Sequence, residues 1–243
     1  MGTQGAFGYK IGRKIRLMYV HYDADMLWSI LVREIYVLMK HYGSIDSLRE
    51  AFNNLLDAKG NPSSEAIEKC KRFTDLEVDT KSTNNWYCLT RHCQNSFINI
   101  LESGYIYNNG KKSSLVFLLD FNTNTVRFYG IDYNNKETEY EKATIDEIME
   151  FDDMPKKTYT EIVSEMNESF EEYDKKIQEK NSMIEKINEI IQKSHILTSD
   201  ELISKQANDL LDSVIIEKKM IEKKHNRFYN RLDALNMIDH STN

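Results

Sequence analysis

Three side chains near the amino end have the types and the spacing of a reactive site. His21, Asp23 and Asp25 form a His-x-Asp-x-Asp string. Alternate residues of a strand share a face, so a strand running through all of them gathers one imidazole and two carboxylates. Two carboxylates can hold Mg²⁺ or Mn²⁺, and an imidazole beside them can act as a base. The competing reading is structural throughout, with Asp23 capping the following helix, Asp25 complementing its dipole, and His21 packing against the sheet. Two acids without a third define no particular chemistry, so the structural reading is preferred, and no metal or cofactor is expected. A second string, Arg91-His92-Cys93, sets an imidazole beside a thiol. Adjacent helical residues point about 100° apart, which makes a poor dyad, and Cys93 continues the apolar stripe of Trp86 and Leu89. Cys70, Cys88 and Cys93 are odd in number and lack zinc spacing, so they are expected as small buried thiols.

The stretch that must position His21 reads as a β-hairpin turned at Gly12-Arg13-Lys14. Its second arm places Ile15, Leu17, Tyr19 and His21 on one face and Arg16, Met18, Val20 and Tyr22 on the other. Gly2, Gly5 and Gly8 mark bulges or places where another backbone or a ligand comes close. Residues 24–41 are apolar on nearly every face, which predicts a buried helix stopped by Gly43. Ser44 caps a second helix predicted to end near Gly60, and Asn61-Pro62-Ser63-Ser64 starts a short one reaching Phe73. Residues 74–80 read as a short half-exposed strand, 85–102 as one helix ended by Gly104, and 105–107 as a strand. The clearest hairpin joins 115–121 to 125–131, and its first strand, apolar on both faces, belongs in the middle of a covered sheet. The expected fold is α+β, a mixed or antiparallel sheet covered by helices, over residues 1–152.

Beyond Asp152-Asp153-Met154-Pro155 the composition shifts to long charged helices, predicted at 156–194 and 199–235 and joined at 195–198. Val163, Met166, Phe170, Tyr173, Ile177, Ile184, Ile187 and Ile191 fall on a 3-4 seam whose missing member is Lys180. The second helix contributes Ile203, Ala207, Leu210 and Val214, loses register near Glu217, and resumes with Ile221, Phe228, Leu232 and Leu235. This predicts an antiparallel coiled-coil arm over 156–236, followed by a flexible tail at 237–243. Its candidate interaction residues are Phe170, Tyr173, Ile177, Ile184, Ile187, Ile191, Ile221 and Phe228, which would serve a protein partner or self-association.

A net charge of −7 from 39 acidic and 32 basic residues gives no reason for nucleic-acid binding by the whole molecule. The basic cluster Lys218, Lys219, Lys223, Lys224, Arg227 and Arg231 alternates with Glu217 and Glu222 and reads as a solvated helix face. No stretch approaches 18 apolar residues, no signal-peptide core opens the chain, and Ala6 stands where a myristoylation motif needs Ser or Thr. The expected location is host cytoplasm or virion, without secretion or membrane.

Met1-Gly2-Thr3-Gln4-Gly5-Ala6-Phe7-Gly8, followed by Tyr19-Val20-His21-Tyr22-Asp23-Ala24, resembles a loose family of uncharacterised proteins from large DNA viruses, phages and fungi. That family opens Met-x-Thr-Arg-Gly and continues with a Tyr-Asn-His-x-Asp-Ser string; Gln4, Val20 and Ala24 depart from it. The likeness covers about the first 25 residues and, weakly, the 115–131 hairpin. With the Lys, Asn, Ile, Glu and Tyr bias it implies a viral origin and supplies no activity. The same layout is similar to the first hairpin of N-terminal-nucleophile amidohydrolases, where Met-Cys-Thr opens the chain. In those enzymes the residue after Met is the nucleophile and its free amine the base. Here that residue is Gly2, without a side chain, and Thr3 would act only after a second cleavage. The expected function is therefore a non-catalytic viral protein acting in assembly or partner binding through the helical arm. The alternative is an amide or acyl hydrolase, or a metal-dependent enzyme, centred on Thr3, His21, Asp23 and Asp25.

Overall fold

The computed structural model describes residues 3–111, 113–197 and 201–230. The period-two pattern of the amino end becomes an antiparallel ribbon of β1 (Gly5–Ile11) and β2 (Lys14–Val20). Gly12 turns it at φ +59, a left-handed conformation open to glycine without a Cβ clash. Gly8 serves a different end: a Cβ there would sit 1.9 Å from the Arg16 carbonyl oxygen. The close backbone approach read from the glycine spacing is thus met inside the ribbon itself.

The chain then leaves the sheet through α1 (Leu27–Tyr42), α2 (Ile45–Asn53), β3 (Leu56–Asp57), α3 (Ser64–Cys70), α4 (Trp86–Leu89), α5 (Phe97–Ser103) and β4 (Tyr105–Ile106). It returns as β5 (Leu115–Asp120), parallel to β1, and β6 (Thr125–Ile131) and β7 (Glu137–Thr144) follow antiparallel. The order β2-β1-β5-β6-β7 is a mixed sheet with β5 at its centre, the α+β architecture expected. A capping box between Thr144 and Glu147 opens α6 (Ile145–Met149). One sheet face is aromatic. Phe97 of α5 lies 5.2 Å from Phe7 and from Phe52, Phe52 lies 4.9 Å from Tyr9, and Phe117 lies 6.2 Å from Phe97. The buried residues Leu27, Leu31, Ile35 and Leu38 of α1 complete this core. The other face carries a smaller cluster of Val116, Leu118 and Tyr129.

Edges and polar ties hold the layers in register. The Leu17 and Tyr19 amides on the outer edge of β2 donate to Asn108 Oδ1 and Asn109 Oδ1 at 2.9 and 2.8 Å, which blunts that edge. Tyr9 donates to the Phe52 carbonyl at 2.9 Å, Arg16 Nη1 donates to Tyr9 Oη at 2.6 Å, and Arg16 Nε lies 2.8 Å from Asp57 Oδ1. Burial alone raises the Asp57 carboxyl, but Lys59, Arg16 and Lys14 more than reverse it and hold it below the usual range.

Several elements differ from the sequence expectation. The second helix stops at Asn53, and Leu56–Asp57 instead pair in parallel with Tyr105–Ile106. Residues 74–80 form turns rather than a strand, with Asp79 at φ 47 and Lys81 at φ 52. The helix predicted over 85–102 is broken into α4, a 3-10 turn at Arg91–Cys93, and α5, which Ser96 caps afresh. β7 has no sequence signal, because all its residues but Ala143 are exposed and most are polar. Two compact units divide after Ile162. Thr158 and Glu161 box-cap α7 (Tyr159–Leu197), which therefore starts at 159 rather than 156. Residues His195 to Leu197 are helical rather than linker, and α8 spans Glu201–Asn230. The remainder of the predicted arm and the tail at 237–243 lie outside the described residues.

Glu34 of α1 is buried at 2% exposure. Its carboxylate accepts from Ser96 Oγ at 2.6 Å and from the Phe97 and Ile98 amides, so it closes the amino end of α5. Burial dominates these bonds and pushes its pKa from 4.5 to about 7. A carboxyl whose folded pKa is raised holds its proton more tightly in the folded chain, so its contribution is greatest below pH 4.5 and is lost as pH rises to about 7. Glu34→Gln keeps two acceptor sites for the amides without the charge. Thermal melts across pH should show the variant gaining on the wild type from pH 5 to pH 8, by a few kcal/mol at most; a pH-independent difference would remove the buried-charge account.

Candidate functional site

β2 ends at Val20, and the chain does not continue as strand to Asp25. Asp23 is left-handed at φ 58 and ψ 32, and Ala24–Met26 form a 3-10 turn. The convergence of His21, Asp23 and Asp25 expected from alternation is therefore broken after His21. Asp23 makes no side-chain cap either; its carbonyl accepts the Met26 amide at 3.0 Å. Both aspartates are exposed, and no group of three or more metal-ligating side chains occurs among the described residues. Thr3 contributes through its backbone, its carbonyl accepting the Ala24 amide at 3.0 Å. Ala24 is fully buried. A Cβ on Gly5 would stand 2.7 Å from the Ala24 Cβ and 2.8 Å from the Leu115 carbonyl oxygen, which explains the glycine.

The structure brings Arg91 to this junction instead. Arg91 is buried at 5% exposure in the 3-10 turn after α4. Its Nη1 donates to Gln94 Oε1, which also accepts the His21 amide at 3.2 Å. The rings of Tyr22 and Tyr87 each lie 5.8 Å from the guanidinium carbon. The His21 ring packs edge-on against Tyr22 at 4.2 Å and Tyr19 at 6.1 Å. Burial, and then the Arg91 charge, hold the imidazole below its ordinary pKa; burial chiefly raises the Tyr19 phenol. The result is a neutral imidazole and tyrosines around a buried cation. Sequence reasoning singles out Arg91 only as a member of the Arg-His-Cys string, because Tyr22, which closes over it beside the local Tyr87 and Gln94, lies about 70 residues upstream.

That string forms no dyad. Cys93 is fully buried with Sγ 3.6 Å from the Asn99 carbonyl, and burial pushes its thiol well up. Cys70 is pushed up to about 12 by the same cause. All three cysteines are free and buried, as expected from the sequence. Two of the cavities among the described residues open on the body, and neither of these is lined by His21. One of about 540 Å³ has Trp86, Tyr107, Asn84 and Lys59 in its wall, and one of about 630 Å³ has Tyr36, Lys40, His41 and Lys156.

In the second unit, burial follows the predicted seam. Along α7 the less exposed positions include Val163, Met166, Phe170, Tyr173, Ile177, Lys180, Ile184, Ile187 and Ile191. On α8 they include Ala207, Leu211, Val214 and Ile221, so Leu211 replaces the predicted Leu210, which is 52% exposed. The side chains of Ile203 and Phe228 lie outside the described residues. Lys180, the missing seam member, forms an ion pair with Glu217, where the second helix loses register. The two positions lie about equally far from the connection at 198–200, as partners across antiparallel helices must. Compared with family models, curated proteins and solved structures, the chain matches none.

Gly5→Ala should destabilise the body by about 1–3 kcal/mol in urea unfolding, since an overpacked methyl would have to displace both Ala24 and the β5 backbone. Lys180→Leu should raise the thermal stability of the helix pair by about 1 kcal/mol, because a half-exposed ion pair contributes little and an apolar seam residue more. A drop on circular-dichroism melting would show that the ion pair sets the register.

Proposed function

We propose that the chain is a non-catalytic viral assembly protein that joins a second copy of itself through α7 and α8. The observation that carries this reading is the incomplete covering of the helix pair. On the α7 seam Met166 and Ile187 are buried, while Phe170, Tyr173, Ile177, Ile184 and Ile191 stay only half-buried. Beside the seam, Met183, Ile190 and Leu210 are 41%, 54% and 52% exposed. Met183 and Ile190 each precede a seam residue, as Leu210 precedes Leu211. In an antiparallel pair such positions of both helices edge the same flank.

Large apolar side chains gain about 1.5–3 kcal/mol each on full burial, so a further helix on this flank would stabilise the pair. A second copy offers complementary charge. α7 carries nine acidic side chains against five lysines, and α8 carries five acidic against six basic, so each α7 would gain an α8 from its partner. The resemblance of the first 25 residues to proteins of large DNA viruses supports the viral setting, and the dispersal of His21, Asp23 and Asp25 favours the non-catalytic reading.

Light scattering on the full chain at micromolar concentration should give a mass near twice 28.6 kDa. The triple variant Met183→Glu, Ile190→Glu, Leu210→Glu should give the single-chain mass with its helix content retained. A wild-type chain that stays monomeric at every concentration sinks the proposal.

A further inference from the structure

Two guanidinium groups among the described residues are buried to nine-tenths or more, Arg16 and Arg91. Arg16 has Asp57 at 2.8 Å. Arg91 has no carboxylate within ion-pair distance among the described residues. Its Nη1 is taken by Gln94, its guanidinium carbon lies over the Tyr22 and Tyr87 rings, and its Nε is buried without an acceptor. Nη2 is the remaining donor, available to an acceptor from outside. A buried cation without a counter-charge is costly, and aromatic contacts return only part of that cost. A ligand that brings the missing charge would offset that cost.

We propose that Arg91 is the floor of a binding site for an oxyanion group, phosphoryl or carboxylate, rimmed by Tyr19, His21, Tyr22 and Tyr87. The rim is open: Tyr22 is 52% exposed, and Tyr19, His21 and Tyr87 are half-buried. It is also chemically suited. The rim phenols are donors, and a neutral imidazole can donate from one nitrogen, so the rim can point protons at an incoming oxygen. Gln94 orients the cation by accepting from it and from the His21 backbone together, which presets the geometry without using a charge. A guanidinium offers paired N–H donors that match the spacing of oxyanion oxygens. The exposed Asp23 and Asp25 are the acids of the same segment and would favour a small anionic group over a highly charged polyanion.

The test is an NMR titration of the full chain with sodium sulfate, standing in for a phosphoryl group, and separately with sodium acetate, against sodium chloride at equal ionic strength. Sulfate, acetate or both should move the Arg91 Nε–H signal and the Tyr22 and Tyr87 ring signals to saturation, and chloride should not; whichever anion saturates at lower concentration names the ligand group. Arg91→Gln should weaken the effective anion at least tenfold while the Phe7 and Phe117 core signals stay in place. If Arg91→Gln does not fold, the wild-type titration decides alone. The proposal is overturned if neither anion gives a saturable response beyond chloride, or if a folded Arg91→Gln responds as the wild type does.

Discussion

The body depends on β1 lying directly beside β5. That parallel contact sets Phe7 opposite Phe117 and Tyr9 opposite Leu119, and the aromatic face it creates is what α2 and α5 pack against through Phe52 and Phe97. The contact needs the bare backbone of Gly5, and the β1–β2 ribbon beside it needs that of Gly8. Gly8 admits the Arg16 backbone and Gly5 admits Leu115 and Ala24. Removing Cβ atoms from a strand costs conformational entropy, and here the loss is offset by the close packing of three chain segments that are far apart in sequence.

Most polar groups buried in this body are met by backbone or side-chain partners; Trp86 Nε1, Asn99 Oδ1 and Arg91 Nε are among those that are not. Glu34 is met by the amino end of α5, and Arg16 and Asp57 meet each other beneath Tyr9 and Leu55. The first tie fixes α5 against α1, and the second fixes β3 against the ribbon. Arg91 departs from the rule, since only Gln94 and two aromatic faces meet its charge. The residues around it come from the end of β2 and from α4 with the turn that follows it.

The second unit follows simpler physics. A 3-4 spacing carried through α7 shelters one line of side chains in part, and the two points where the pattern lapses, Lys180 and Glu217, face each other as an ion pair. A charged pair at a seam tolerates partial hydration, whereas either charge alone would oppose an apolar neighbour. The lapse in one helix is thereby matched by the lapse in the other.

Periodicity alone determined the two hairpins, the buried α1, the central place of β5 and the long carboxy-terminal helices, because burial on one face imposes a repeat that any short window of sequence displays. It also determined the inert cysteines and the close approach at the glycines. Only the tertiary structure decided the rest. β7 is held by its pairing with β6 and carries no apolar alternation of its own; residues 85–102 have the spacing of one helix, yet Asn95 turns left-handed at φ 71 and divides it. The His-x-Asp-x-Asp string reads as convergent only while alternation is carried past Val20, where the burial of Ala24 against Gly5 bends the chain away. Arg91 could not be found from spacing, since a buried cation is defined by what surrounds it, and folding brings Tyr22 and the His21 backbone to the local pair Tyr87 and Gln94.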